Sequence, residues 1–142
     1  MNRFVLIAVC ALPACALSAC APPRASYAAP MSPEGAARAA YDIAGFVGQQ
    51  MRPDQGGIAI RKAPGDDLLW SDLTNNLQAG GYTVTDVKAR HRLRYAVSTL
   101  PDGTFLHATL DGTSIARLYH ADPSGRLDPS GPETLITAEA AE

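Results

Sequence analysis

Two closely spaced turn signals constrain the fold of this chain more than any other feature. Pro101-Asp102-Gly103 and Asp111-Gly112 each supply a residue able to take positive φ, as tight hairpins require, and each lies between runs rich in β-branched and aromatic side chains. The spacing predicts a meander of three strands: His91 to Leu100, Thr104 to Leu110 and Thr113 to His120. Such a sheet has one face to bury, so the rest of the chain must supply its cover.

The preceding segment has the right periodicities. Ser32-Pro33-Glu34 reads as a helix start, with Ser32 as N-cap and Pro33 at the first helical position. Ala40, Ile43, Val47 and Met51 continue at helical spacing until Arg52-Pro53 stops the pattern. Gly35, Gly45 and Gly48 weaken this helix, so packing must hold it. Gly56-Gly57 leads into a short strand, Ile58-Ala59-Ile60. Asp66 and Asp67, favoured by the helix dipole, then open a second helix, with Leu69, Leu73 and Leu77 on one stripe and Gly80-Gly81 ending it. Tyr82 to Val87 reads as another strand, and the interval from Ile60 suits a crossover between two parallel strands. The expected fold is α+β: a single domain in the order α-β-α-β-β-β-β, with two helices packed on a small mixed sheet. From residue 21 onward the chain holds 30 large apolar side chains, enough for one modest core. That size excludes a multi-domain enzyme and a membrane-spanning channel.

The front of the chain has a different character. Met1-Asn2-Arg3 is a short positive end, and Phe4 to Leu17 is an apolar stretch interrupted by Pro13, too short to span a bilayer as a helix. Leu17-Ser18-Ala19-Cys20 closes it and resembles the bacterial lipobox, in which cleavage follows transfer of diacylglycerol to the cysteine. Residues 1–19 are then a lipoprotein signal peptide, and Cys20, carrying diacylglycerol and an N-acyl chain, is the first mature residue. The competing readings are an ordinary cleaved signal with a free Cys20 thiol, and cleavage at Leu12-Pro13-Ala14-Cys15, where proline sits inside the site. Cys10 and Cys15 leave with the signal, so no intramolecular disulfide is available, and acylation would remove an otherwise odd secreted thiol. Ala21 stands where aspartate would resemble an inner-membrane retention signal, which favours lipid anchoring to the outer membrane, facing the periplasm.

Residues 20–31, with three prolines, read as a lipidated cysteine and semi-rigid tether of about 3 Å per residue. Residues 32–121 then form the globular domain. In the tail, 122–142, Asp-Pro-Ser-Gly occurs at 122–125 and again at 128–131. It reads as turn-rich; its apolar pair Leu135-Ile136 could add an edge strand, dock on a partner or stay disordered.

Lys88, Arg90, Arg92 and Arg94 alternate with Ala89, His91, Leu93 and Tyr95. An extended segment would project the four cations from one face. That stripe fits a solvated sheet face or protected edge, an acidic protein partner, or lipid headgroups. Direct nucleic-acid contact is not expected, because the chain has a net charge of −2 and no aromatic side chains interleave the cations. His91, His107 and His120 are too far apart for a metal motif, and the Asp111-Gly112 hairpin would set His107 opposite Ala116. Phosphate loop, nucleophile elbow and catalytic cysteine are all missing from the mature sequence, so catalytic residues, a metal and a small-molecule substrate are not expected. Trp70, Tyr82, Tyr95 and Tyr119 are expected in or near the core, their polar atoms reaching partners; a sugar-binding platform is the alternative use of these rings.

Cys20, Gly57-Ile58-Ala59-Ile60, the Leu73/Leu77 helix running into Gly80-Gly81-Tyr82-Thr83-Val84, Leu93-Arg94-Tyr95-Ala96-Val97 and Arg117-Leu118-Tyr119 together resemble the TrbH lipoproteins of Trb-type conjugative transfer systems. The resemblance runs over about residues 17–120 and contains no catalytic motif. It implies a non-enzymatic structural component of a type IV secretion apparatus, without a cofactor, contacting outer-membrane lipid and other subunits of the channel. A periplasmic binding or regulatory lipoprotein engaging cell wall or an envelope enzyme is the second reading.

Overall fold

Ser32 starts the first helix, its Oγ accepting the Gly35 amide at 3.0 Å. In the computed structural model, which describes residues 26–66 and 68–137, this helix is α1, Pro33–Gln50. The expected signal peptide and Cys20 lie outside the described residues. α1 buries Ala36, Ala39, Ala40, Ile43, Phe46 and Val47 along one stripe, which offsets the weakness of its glycines. The second helix, α2, spans Leu68–Ala79 and buries Leu69, Leu73 and Leu77. Asp66 Oδ1 accepts the Leu69 amide at 3.1 Å ahead of its first turn. It ends in a Schellman turn: Gly81 takes φ 88°, and the Tyr82 amide returns to the Leu77 carbonyl at 3.0 Å.

Eight strands make one sheet: β1 (Tyr27–Ala28), β2 (Ile58–Ile60), β3 (Val84–Thr85), β4 (His91–Leu100), β5 (Gly103–Leu110), β6 (Thr113–Ala121), β7 (Leu127–Pro129) and β8 (Thr134–Thr137). Strands β4, β5 and β6 are the expected antiparallel meander, in register Leu100↔Gly103 and Leu110↔Thr113. Asp111 and Gly112 close the second hairpin with φ 50° and 101°, the double positive φ of a type I′ turn. At the first hairpin Gly103 is required by close approach, since a Cβ there would lie 2.0 Å from the Tyr119 carbonyl oxygen.

Each edge of this meander is shared by two short strands. On β4, β2 pairs in parallel with His91 to Leu93, and β1 pairs in parallel with Ala96 and Val97; β3 continues outward beside β2. On β6, β8 covers Thr113 to Ala116 and β7 covers Tyr119 to Ala121, both antiparallel. The crossover from β2 through α2 to β3 is parallel, as its length predicts. The strand expected over Tyr82 to Val87 contracts to Val84–Thr85.

Both ends of the expected globular domain move outward. Tyr27 and Ala28, read as tether, pair with β4, and the Ala29 amide donates to the Val97 carbonyl at 2.9 Å. The tail is folded as far as Thr137 and supplies β7 and β8. Its first Asp-Pro-Ser-Gly is a turn held by Asp122 Oδ1, which accepts the amides of Ser124 and Arg126 at 2.8 and 3.0 Å. Ser32 Oγ donates to the Gly125 carbonyl at 2.6 Å, fastening this turn to the start of α1, and Leu127 is buried beside it. A Pro-rich composition sets these segments' stiffness but does not reveal that a free strand edge stands ready to receive them.

The core lies between the helices and one sheet face. Leu93, Tyr95 and Val97 of β4, Leu106, Ala108 and Leu110 of β5, and Ile115 and Tyr119 of β6 alternate inward and are buried. The described elements and their core lie within residues 26–137, so a chain beginning at residue 21 contains all of them. The opposite face carries Arg92, Arg94, Phe105, His107 and Leu118.

Candidate functional site

The division of one β4 edge between two strands creates a notch. β2 leaves β4 after Leu93, and β1 joins at Ala96, so neither pairs with Arg94 or Tyr95. Ser26, Ala59, Arg61, Asp86, Arg92 and Arg94 line the opening. The alternation that buries Leu93 and Tyr95 turns Arg92 and Arg94 to the other face. Parallel register places Ala59 beside Arg92, which brings Arg61, just beyond the end of β2, toward Arg94.

The expected four-cation stripe is therefore divided. Lys88 and Arg90 precede β4 and do not share its alternation. The aliphatic stem of Arg90 packs on Gly56, whose φ of 131° and absent side chain leave room for it; a Cβ there would meet Arg90 Cδ at 3.0 Å. Arg90, Arg92 and Arg94 also border a second depression with Thr109, Asp111 and Gly112. Among the described residues, no carboxylate oxygen lies within 4.0 Å of the charged nitrogens of Arg61, Lys88, Arg90, Arg92 or Arg94.

Asp111 fixes where β4 begins. Its Oδ1 accepts the Arg92 amide at 2.9 Å, and its Oδ2 meets His91 Nδ1 at 2.6 Å, while His91 Nε2 reaches the Gln55 carbonyl at 3.2 Å. His91 thus ties the hairpin to the 3-10 turn Pro53–Gln55. His107 stands opposite Ala116, as the hairpin register requires, and partial burial lowers its pKa. His120 pairs with Asp128 at the far end of β6. Among the described residues no group of three or more His, Cys, Asp or Glu side chains could hold a metal ion.

Two buried carboxylates carry the remaining polar chemistry. Asp42, within the apolar stripe of α1, accepts from Arg117 Nη1 at 3.0 Å, from Arg38 Nε at 3.3 Å and from the Tyr119 hydroxyl. Glu133 stands 3.8 Å from the same Arg117 nitrogen. Asp66 caps α2 and also accepts the Tyr95 hydroxyl at 2.7 Å. Burial, and after it the bond to the carboxylate, raises the pKa of Tyr95 and of Tyr119. These pairs join helix to sheet and lie in the core, which gives them a positioning role. Tyr82 likewise donates to the Met51 carbonyl at 2.7 Å. Trp70 departs from the expectation for these aromatics: it packs on the core with Lys62 Nζ 5.7 Å from its ring centre, but its buried Nε1 has no hydrogen-bond partner. Sequence reasoning missed Asp42; its one signal is a carboxylate at a buried helical position between Ala39 and Ile43.

A family model described as conjugal transfer protein TrbH matches residues 21–139. The chain belongs to the TrbH family. It is accordingly a component of conjugal transfer, and the match spans every described element of this TrbH-family chain, including the tail strands after Asp122. No curated protein and no solved structure gives a significant match. No helix among the described residues is long and apolar enough to cross a membrane.

Proposed function

We propose that this TrbH-family chain is an outer-membrane lipoprotein that acts as a structural subunit of the type IV secretion apparatus, held by acyl chains on Cys20 and facing the periplasm. The observation that carries the reading is the junction at residue 20: Leu17-Ser18-Ala19-Cys20 ends the apolar leader, and the family match starts at the next residue. Two or more acyl chains hold a protein stably on a bilayer, so the folded part needs no spanning helix.

In this reading the domain works by fitting against other transfer subunits, with no turnover, cofactor or small-molecule substrate. The buried carboxylates support it, since their bonds are spent on joining α1 and α2 to the sheet. Of the four cations, Lys88 and Arg90 stand ahead of β4 and are offered to an acidic surface of a neighbouring subunit, whereas Arg92 and Arg94 belong to the notch.

The deciding experiment is mass spectrometry of the mature amino terminus, with fractionation of the envelope. A diacylglyceryl thioether and an N-acyl group on Cys20, with the protein in the outer-membrane fraction, are expected. Cys20→Ser should release the protein from that fraction and abolish plasmid transfer. An unmodified Cys20, or transfer and membrane attachment that survive the substitution, refutes the proposal.

A further inference from the structure

Among the described residues, three arginines, Arg61, Arg92 and Arg94, line the notch between β1 and β2 together with one carboxylate, Asp86. Arg92 and Arg94 are two residues apart on one strand face, and Arg61 approaches from the neighbouring strand, so the three like charges repel one another. Among the described residues none of them is neutralised by an ion pair. Ser26, 4% exposed, lines the same opening, and its Oγ is buried without a hydrogen-bond partner. A buried hydroxyl left without a partner is destabilising. A tetrahedral oxyanion accepts from the planar guanidinium forks, and it gives the serine hydroxyl an acceptor once that side chain rotates into the opening.

We propose that this notch is a binding site for a phosphate oxyanion, the headgroup phosphate of an anionic membrane phospholipid, in which no headgroup cation neutralises it. The choice of source rests on the lipoprotein reading above. Ser26 follows Cys20 by six positions, a span of at most about 20 Å when fully extended. An acylated Cys20 therefore keeps Arg61, Arg92 and Arg94 within reach of the surface in which its acyl chains are inserted. The site turns a loose tether into a two-point attachment, and the second contact benefits from the high effective concentration that the first creates.

The test uses the chain from residue 21, which holds every described element and the core. Titration with inorganic phosphate, followed through the arginine side-chain NMR signals at constant ionic strength, should give saturable shifts at Arg61, Arg92 and Arg94 that chloride does not produce. The double variant R92Q/R94Q should weaken phosphate binding at least tenfold, and K88Q/R90Q should leave it unchanged, with circular dichroism confirming that both are folded. Asp86→Asn should tighten binding several-fold, a gain that a merely structural role for Asp86 does not give. In a second arm, vesicles containing phosphatidylglycerol should retain the chain and vesicles of phosphatidylcholine alone should not, with R92Q/R94Q abolishing the difference. Absence of saturable phosphate binding overturns the site. Phosphate binding without vesicle retention overturns the headgroup as its source, and binding of polyglutamate but not phosphate assigns the notch to an acidic protein instead. Because this chain lacks Cys20, the phosphate arm is independent of acylation: its failure leaves the lipoprotein reading standing, and an unmodified Cys20 leaves the phosphate result standing.

Discussion

Replacing Asp42 by alanine tests how helix and sheet are held together. The Asp42 side chain is 5% exposed and receives Arg117 Nη1 at 3.0 Å, with the Arg117 side chain itself 20% exposed. Arg38, 39% exposed and one turn away on α1, adds only a few tenths of a kcal/mol. Without the carboxylate, Arg117 keeps, among the described residues, only the Glu133 carboxylate at 3.8 Å, and the buried Tyr119 hydroxyl loses its acceptor. Breaking a buried ion pair from one side costs about 3–5 kcal/mol. The orphaned hydroxyl contributes to the same loss and is not added to it, because both donors share one acceptor. Against the 5–15 kcal/mol that typically holds a domain together, Asp42→Ala should remove roughly a third of the stability and lower Tm by on the order of 10 °C. Urea unfolding of the chain from residue 21, read by circular dichroism, supplies the measurement. Asp42→Asn, which keeps an acceptor oxygen but no charge, should lose less than half as much. A double-mutant cycle with Arg117→Ala should show coupling above about 1 kcal/mol. A loss under about 1 kcal/mol for Asp42→Ala, or strict additivity in that cycle, would refute the reasoning.

Gly103→Ala should destabilise by at least about 2 kcal/mol, because its Cβ would fall 2.0 Å from the Tyr119 carbonyl oxygen, in backbone that cannot move without opening the β5–β6 ladder; unchanged urea stability would show that the strands separate freely there. Tyr95 and Tyr119 have raised pKa values in the fold and ordinary ones, about 10, when unfolded, so the folded state holds two extra protons at alkaline pH. Their contribution is fully present below pH 10 and declines above it by roughly 3 kcal/mol per pH unit, and unfolding followed at pH 9 and pH 11 should show the fall; Y95F/Y119F should flatten it, and an equal slope in that variant would assign the fall elsewhere. Reversing both Lys88 and Arg90 to Glu should reduce co-purification with other transfer subunits at least several-fold without changing Tm, and undiminished co-purification removes these residues from the interface.

The parts of the fold legible in sequence are those with their own periodicity or turn chemistry. Ser32 capping α1, the Leu69/Leu73/Leu77 stripe of α2, and the Asp111-Gly112 turn each specify local structure, and together they give both helices and the meander to within a residue or two. The short edge strands were not legible for a complementary reason. Tyr27–Ala28 and Leu127–Pro129 are too brief to show a period of two, and they are extended because β4 and β6 present unpaired edges to them. The candidate site was half legible. Alternation turns Arg92 and Arg94 outward, but it does not extend back to Lys88, because a bend separates that residue from β4. Arg61 and Ser26 joined the site only through the sharing of one β4 edge, a tertiary arrangement with no local signal. The role of Asp42 has no local signal, because its partners on the sheet lie 75 and 77 residues further along the chain.

The two-residue pairing of β1 on β4 also determines how the domain bears load. Tension arriving from the amino-terminal side meets this short ladder and the Ala29–Val97 bond before it reaches α1. Those few bonds should yield ahead of the helix–sheet core, which is held by many buried apolar side chains. A pull from that side should therefore detach β1 first, adding chain length before the core opens.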